Sequence, residues 1–251
     1  MSFFDNYKPA KADPIFGLNA EIKADTRPHK IDLLIGYYKD EHNRVPIFKS
    51  VQQAQKHLQQ TQTDLHYLPI DGHKPYIEAL KHLIFDNYAP STYGAQTVGG
   101  TSALYHLGKL LNLKGIVTVA IPDPTWANHS QIFQDIGMNV VYYPYYNMNN
   151  HTLKWDELYA FLHTLPKRSC VLLHASCHNP SGLDFNLEQW KQLAAICQSK
   201  QLFPFFDCAY QGLGGGLKED VASIHLFCEQ VDEFFLAYSC SKNFGLYGER
   251  T

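Results

Sequence analysis

The chain has 251 residues, 45% of them hydrophobic, and 21 Lys+Arg against 24 Asp+Glu leave a formal charge of −3. That composition excludes collagen-like and disordered classes, the weak negative charge argues against nucleic acid as the main partner, and no apolar run reaches the roughly 18 residues of a membrane helix. A chain this long can bury a substantial core in one large α/β domain or two modest ones.

Residues 1–46 are Pro-punctuated and irregular; beyond them helix-like and strand-like segments alternate. Ile77, Leu80 and Ile84 recur at helix spacing within 74–88, and Leu104, Leu107 and Leu111 do so within 101–113. Trp155, Leu158, Leu162 and Leu165 repeat the pattern, as do Leu187, Trp190, Leu193 and Cys197. Between them lie apolar runs at 116–121, 138–143, 170–175, 202–206 and 234–238, which read as buried strands. Strands alternating with helices predict an α/β fold with a largely parallel sheet, and such sheets bind ligands beyond the carboxyl ends of their strands.

Cys170, Cys177, Cys197, Cys208, Cys228 and Cys240 contain no C-x-x-C pair, and residues 1–8 lack the basic-then-apolar layout of a secretory leader. Both features predict a reducing, cytoplasmic setting. The thirteen histidines show no H-E-x-x-H or comparable spacing, so no metal site is expected.

Chemically capable residues follow four of the five apolar runs. The 116–121 run leads into Pro122-Asp-Pro-Thr-Trp126-Ala-Asn-His129, and the 170–175 run into Ser176-Cys-His-Asn179-Pro-Ser-Gly182. The 202–206 run leads into Asp207-Cys-Ala-Tyr210, and the 234–238 run into Ser239-Cys-Ser241-Lys242-Asn-Phe-Gly245. Upstream, Gly99-Gly100-Thr101-Ser102 opens an amphipathic helix, a start that suits an anion. Taken singly, Lys242 is a turn lysine, Asp207 a strand-end residue, Trp126 a core aromatic and Asn179-Pro180 a turn. Together they ask for a ligand that is flat, phosphorylated, electrophilic at a carbonyl and basic at a ring nitrogen. Pyridoxal phosphate meets all four demands: a lysine forms the Schiff base and an acidic residue keeps the pyridine nitrogen protonated. Arg250, Ser239, Ser241 and the Gly100–Thr101 helix start would take the phosphate.

At these residues the chain resembles the class I pyridoxal-phosphate aminotransferases, in the aspartate/aromatic branch. The most specific stretch is Ser239-Cys-Ser-Lys-Asn-Phe-Gly-Leu-Tyr-Gly-Glu-Arg250. Supporting it are Ala12-Asp-Pro-Ile-Phe-Gly17, Ile35-Gly-Tyr-Tyr-Lys-Asp-Glu41, Tyr67-Leu-Pro-Ile-Asp-Gly72, Cys177-His-Asn-Pro-Ser-Gly182 and Phe206-Asp-Cys-Ala-Tyr-Gln-Gly212. The resemblance implies the fold of fold-type-I pyridoxal-phosphate transferases: 47–251 as a large cofactor-binding domain, mostly parallel with helices on both faces, and 1–46 as an arm with part of a small domain. It implies amino-group transfer from aspartate or an aromatic amino acid to 2-oxoglutarate, in ping-pong fashion through pyridoxamine phosphate.

The resemblance also assigns roles. Lys242 would hold the Schiff base and then move the proton; Asp207 would pair with the pyridine nitrogen, with His129 behind it. Asn179 and Tyr210 would bond the phenolic oxygen, and Trp126 would stack on the ring. Gly99, Gly100, Thr101, Ser239, Ser241 and Arg250 would surround the phosphate. Gly36 would lie against substrate beside Trp126 and Asn179, and Tyr67 would reach the phosphate of a neighbouring subunit, which implies a homodimer with shared active sites. Ser102 departs from a glycine frequent in relatives.

Family members continue well over a hundred residues past the position of Thr251, so the resemblance implies a missing C-terminal portion. That portion carries one further sheet strand, the rest of the small domain and both substrate-carboxylate arginines. Arg27, Arg44, Arg168 and Arg250 match neither arginine position. A catalytically inactive fragment is therefore one alternative function, and a pyridoxal-phosphate lyase or decarboxylase is another. A nicotinamide oxidoreductase is disfavoured because no G-x-G-x-x-G follows a strand.

Overall fold

The computed structural model describes residues 18, 21–31, 34, 36–88 and 91–251. The 12–17 motif and Ile35 lie outside them. Two compact units result, Met1–Pro46 and Ile47–Thr251.

In the first unit, residues 21–24 are helical. Lys30 Nζ donates to the Ile22 and Asp25 carbonyls at 2.8 and 2.7 Å, which satisfies acceptors at the end of that turn. The Asp40 carboxylate accepts from the backbone N–H groups of His42 and Arg44 at 2.9 and 2.8 Å and so closes the 40–44 turn.

The second unit is built on seven helices, α1 (Lys49–Thr61), α2 (Lys74–Phe85), α3 (Gly99–Leu113), α4 (Asn128–Asp135), α5 (Trp155–Thr164), α6 (Leu187–Lys200) and α7 (Ala222–Gln230). Its strands are β1 (Thr118–Asp123), β2 (Asn139–Pro144), β3 (Tyr146–Asn147), β4 (Thr152–Leu153), β5 (Cys170–His174), β6 (Phe203–Cys208) and β7 (Phe235–Tyr238). Strands β3 and β4 make a small antiparallel hairpin, and the other five form one sheet in the order β2-β1-β5-β6-β7, every pair parallel.

Side-chain alternation divides the core between the two faces of this sheet. Val171, Leu173, Phe206 and Cys208 point to one face, where Leu158, Leu162, Trp190, Leu193, Ile224 and Phe227 of α5, α6 and α7 cover them. Val119, Ile121, Leu172, Phe205 and Ala237 point to the other face and meet Leu104 and Leu111 of α3 with Ile132 and Phe133 of α4. Strand β5 is buried at every position, which is why its sequence is apolar without alternation. On α3, Gly108 permits close approach to α4: a Cβ there would lie 2.9 Å from both Phe133 and Ile136 side chains. Helix α6 opens with a capping box, in which Asn186 accepts from the Gln189 N–H and Gln189 accepts from the Asn186 N–H.

The expected strands lie within about two residues of the observed ones. Helices α1, α4 and α7 and the β3–β4 hairpin were not anticipated individually. Among the described residues, strand β7 forms one margin of the five-stranded sheet. The order turns back between β1 and β5, because the chain leaves β1 for β2 on one side and then crosses to β5 on the other. Such a switch point opens a crevice beyond the carboxyl ends of the strands.

Candidate active site

The carboxyl ends of β1, β5, β6 and β7 deliver the predicted residues to that crevice. Asp207 lies near the end of β6 with 12% of its side chain exposed, and His129, in the first turn of α4, is fully buried beside it. His129 Nε2 sits 2.9 Å from Asp207 Oδ2, while Nδ1 sits 2.8 Å from Thr125 Oγ1. An ionised carboxylate only accepts, so Nε2 carries a proton toward Asp207, and Nδ1 is paired with the Thr125 hydroxyl. Burial pushes the Asp207 carboxyl up, but the His129 hydrogen bond and the fields of His129, His174 and Lys242 outweigh it and leave the group below the usual carboxylate range.

Lys242 follows β7 in a turn closed by the Gly245 N–H to the Lys242 carbonyl at 3.1 Å. Its Nζ lies 5.1 Å from the centre of the Tyr210 ring. Burial pulls the amine below the ordinary lysine range, Asp207 draws it back up, and Arg250 pushes it down again. Tyr210 is pushed up by burial and by Asp207, against a hydrogen bond with Asn179. The loop bearing Asn179 is fastened by Asp184, whose carboxylate accepts from the Cys177 and His178 N–H groups at 2.6 and 2.9 Å. Trp126 reaches this group through an edge contact with His129, ring centres 5.2 Å apart.

A second cluster gathers at the start of α3. Val98 at the N-cap provides no side-chain hydrogen bond, so no capping side chain takes the first N–H groups of the helix. Gly99 has φ +70°, and a Cβ on it would lie 2.9 Å from Arg250 Nη2; one on Gly100 would lie 3.2 Å from Ser239 Cβ. Ser239 and Ser241 are buried, and the Ser241 N–H donates to Ser239 Oγ at 3.3 Å. Arg250 itself donates to the Tyr247 carbonyl at 3.2 Å. A guanidinium, a hydroxyl pair and a helix start thus face one small volume, as an oxyanion requires. Thr101 is exposed in the same first turn.

Two predicted residues stand apart from these clusters. Tyr67 lies fully exposed at 104%, and Gly36 belongs to the first unit, where a Cβ on it would meet nothing within 4 Å.

Other residues of the site escaped sequence reasoning. His174 is buried with neither ring nitrogen hydrogen-bonded among the described residues, and burial drops it to about 4. One ligand atom each from His129, His174 and Asp207 lies within 4.8 Å of the others, a grouping hidden from a spacing search because it joins three separate strand ends. Asp220, also buried, accepts from the N–H groups of Gly212, Gly214 and Gly215 at 2.7, 2.9 and 2.7 Å and so folds the loop after Tyr210. The run of three glycines at 214–216 was its only visible signal.

Fold and site together define a parallel α/β domain in which a lysine, an ionised carboxylate and a phenol lie near the carboxyl ends of the strands, with Arg250 and Ser239 against the start of α3. The chain belongs to the aminotransferase class I and II family, whose model matches residues 28–251. It is 42% identical over 257 residues to the aspartate aminotransferase of Pseudomonas aeruginosa, a match covering 100% of this chain and 64% of that protein. The aromatic-amino-acid aminotransferase of Paracoccus denitrificans is 38% identical, with 98% of this chain and 63% of that one covered. Among solved structures, the aromatic-amino-acid aminotransferase from Burkholderia pseudomallei covalently bound to pyridoxal phosphate superposes with a TM-score of 0.96 at 38% identity, covering 100% of this chain and 64% of that one. The chain spans about 64% of the length of these relatives. Among the described residues, no helix is long and apolar enough to cross a membrane.

Proposed function

We propose that the protein is a pyridoxal-phosphate-dependent transaminase acting on aspartate or aromatic amino acids. The observation that carries this reading is the pairing of a half-buried amine of lowered basicity, Lys242, with an ionised, His129-supported carboxylate, Asp207, near the Gly99–Arg250 contact. These residues fit the cofactor: a Cβ would fill the Gly99 and Gly100 space against Arg250 and Ser239, and the donors there are those a phosphate needs.

When bound, pyridoxal phosphate supplies an electrophilic aldehyde and a ring that draws electrons from the substrate carbon. Lys242 would hold that aldehyde through its amine and would be the group that moves a proton at the substrate Cα. Asp207, ionised and held in place by His129, would keep a proton on the ring nitrogen. Asn179 and Tyr210 orient the ring by its phenolic oxygen, while Trp126 covers one ring face and excludes water. The α3 N–H groups with Ser239, Ser241 and Arg250 hold the phosphate. Gly36 leaves room for substrate, and the exposed Tyr67 serves a second subunit of a homodimer. Residues 1–46 supply an N-terminal arm and part of the small domain, and the free cysteines suit a reducing cytoplasm.

Single-turnover incubation of the purified protein with cofactor and excess aspartate or phenylalanine tests the reading. Transamination yields equal amounts of 2-oxo acid and aminated cofactor. Carbon dioxide or ammonia released with the cofactor unchanged would instead support a lyase or decarboxylase.

A further inference from the structure

Tyr238, the last residue of β7, touches none of the groups assigned above, yet its hydroxyl joins the segments that carry two of them. It lies 2.7 Å from Gln211 Oε1 and 2.7 Å from Asn243 Nδ2. Gln211 follows Tyr210 in the chain, and Asn243 follows Lys242.

The direction of each bond follows from the surroundings. Gln211 is fully buried, and its amide nitrogen donates to the Leu217 and Leu83 carbonyls at 2.8 and 3.3 Å. Its Oε1 must therefore accept, which assigns the single tyrosyl proton to Gln211. The hydroxyl oxygen then accepts from Asn243. Burial pushes the Tyr238 hydroxyl far above its ordinary range, so it keeps this proton at all working pH values. Among the described residues Asn243 Oδ1 is buried without a hydrogen-bond partner, so the bond to Tyr238 anchors that amide.

We propose that Tyr238 is a positioning residue whose hydroxyl ties the Lys242 turn to the Tyr210 segment, holding the Lys242 amine in its half-buried place beside the Tyr210 ring. This rests on the transaminase reading for its purpose, though not for its geometry. Without the hydroxyl the two segments part, Gln211 Oε1 and Asn243 Nδ2 lose their partner, and the Lys242 amine meets more water. Since burial is the main cause of its lowered basicity, the amine then moves back toward ordinary lysine behaviour.

The test is competitive trace acetylation of the cofactor-free protein across pH, with Lys242 reactivity read by peptide mass. A parallel sample receives pyridoxal phosphate and borohydride. Tyr238→Phe keeps the ring, and Asn243→Ala removes the other partner without touching the Gln211 bond. Both are expected to raise the Lys242 acetylation midpoint by about 0.5–1 pH unit. The double variant should go no further than Tyr238→Phe, because the Asn243–Tyr238 bond that Asn243→Ala breaks is already lost in Tyr238→Phe. Either single variant carries the test if the other fails to fold. An unchanged midpoint, even with a lowered unfolding temperature, overturns the proposal, and so do single shifts that add in the double variant. If the midpoint moves as expected while wild-type protein takes no pyridoxyl label on Lys242, the positioning role stands and the cofactor reading fails.

Discussion

His174 and Asp207 are register partners across the parallel β5–β6 ladder, so an imidazole and a carboxylate leave the sheet at the same level and on the same face. The carboxylate is served by His129, whereas among the described residues His174 has no hydrogen-bond partner for either ring nitrogen. Burial first, with His129 adding to it, holds His174 near 4 against the pull of Asp207. A base depressed on folding binds more protons when unfolded, so stability falls as pH drops from 6.5 toward 4, by at most about 3 kcal/mol. His178, lowered to about 2, extends the same loss further into acid. His174→Phe should flatten the upper part of this acid limb and leave stability at pH 7 within about 1 kcal/mol. Urea unfolding at pH 7, 5.5 and 4.5 measures both effects.

Asp207 opposes the other forces on Lys242. Asp207→Asn removes a charge while keeping the shape, so burial and Arg250 act on the amine without opposition. The acetylation midpoint of Lys242 should fall, and retention of pyridoxal phosphate should weaken about tenfold or more, as expected for loss of a charged hydrogen bond. Trace acetylation and equilibrium dialysis read the two quantities separately.

Gly99 combines a positive φ with a close guanidinium. Gly99→Ala should cost about 1–2 kcal/mol through its left-handed backbone and displace Arg250 from the start of α3. The diagnostic result is a loss of inorganic phosphate affinity larger than that caused by Thr101→Ala, which alters only an exposed side chain of the same turn.

Asp220 acts through the loop it folds. Asp220→Ala removes the buried carboxylate that gathers three N–H groups of an exposed loop and should cost about 2 kcal/mol, lowering the midpoint of thermal unfolding by about 4–8 °C. Calorimetry of the two proteins side by side decides it.

The strand-end residues are legible in the sequence because each apolar run of the parallel sheet ends where polarity abruptly returns, and topology gathers those ends. Asp207, Lys242 and Asn179 stand out for that reason. His174 does not, since it closes an apolar strand and reads as part of it. Gln211, Tyr238 and Asp220 are polar residues among many, and their meaning lies in contacts with carbonyls and N–H groups that only the folded chain supplies. Helix α1 escaped because only Val51, Ala54 and Leu58 mark its apolar face among polar residues, and none of them is buried. Helix α4 has only eight residues, too few for a periodic signal. Local capping was equally hidden: the Asn186–Gln189 box is readable afterwards, yet a sequence holds many such pairs.

The central claim is that Lys242 is the amine that takes the cofactor aldehyde. Its lowered basicity gives it a larger neutral fraction near pH 8 than exposed lysines have. The purified protein is incubated with limiting pyridoxal phosphate, reduced with borohydride and mapped by peptide mass. Selective pyridoxyl labelling of Lys242 over the other lysines is the expected result, and scattered labelling that spares Lys242 would contradict the account.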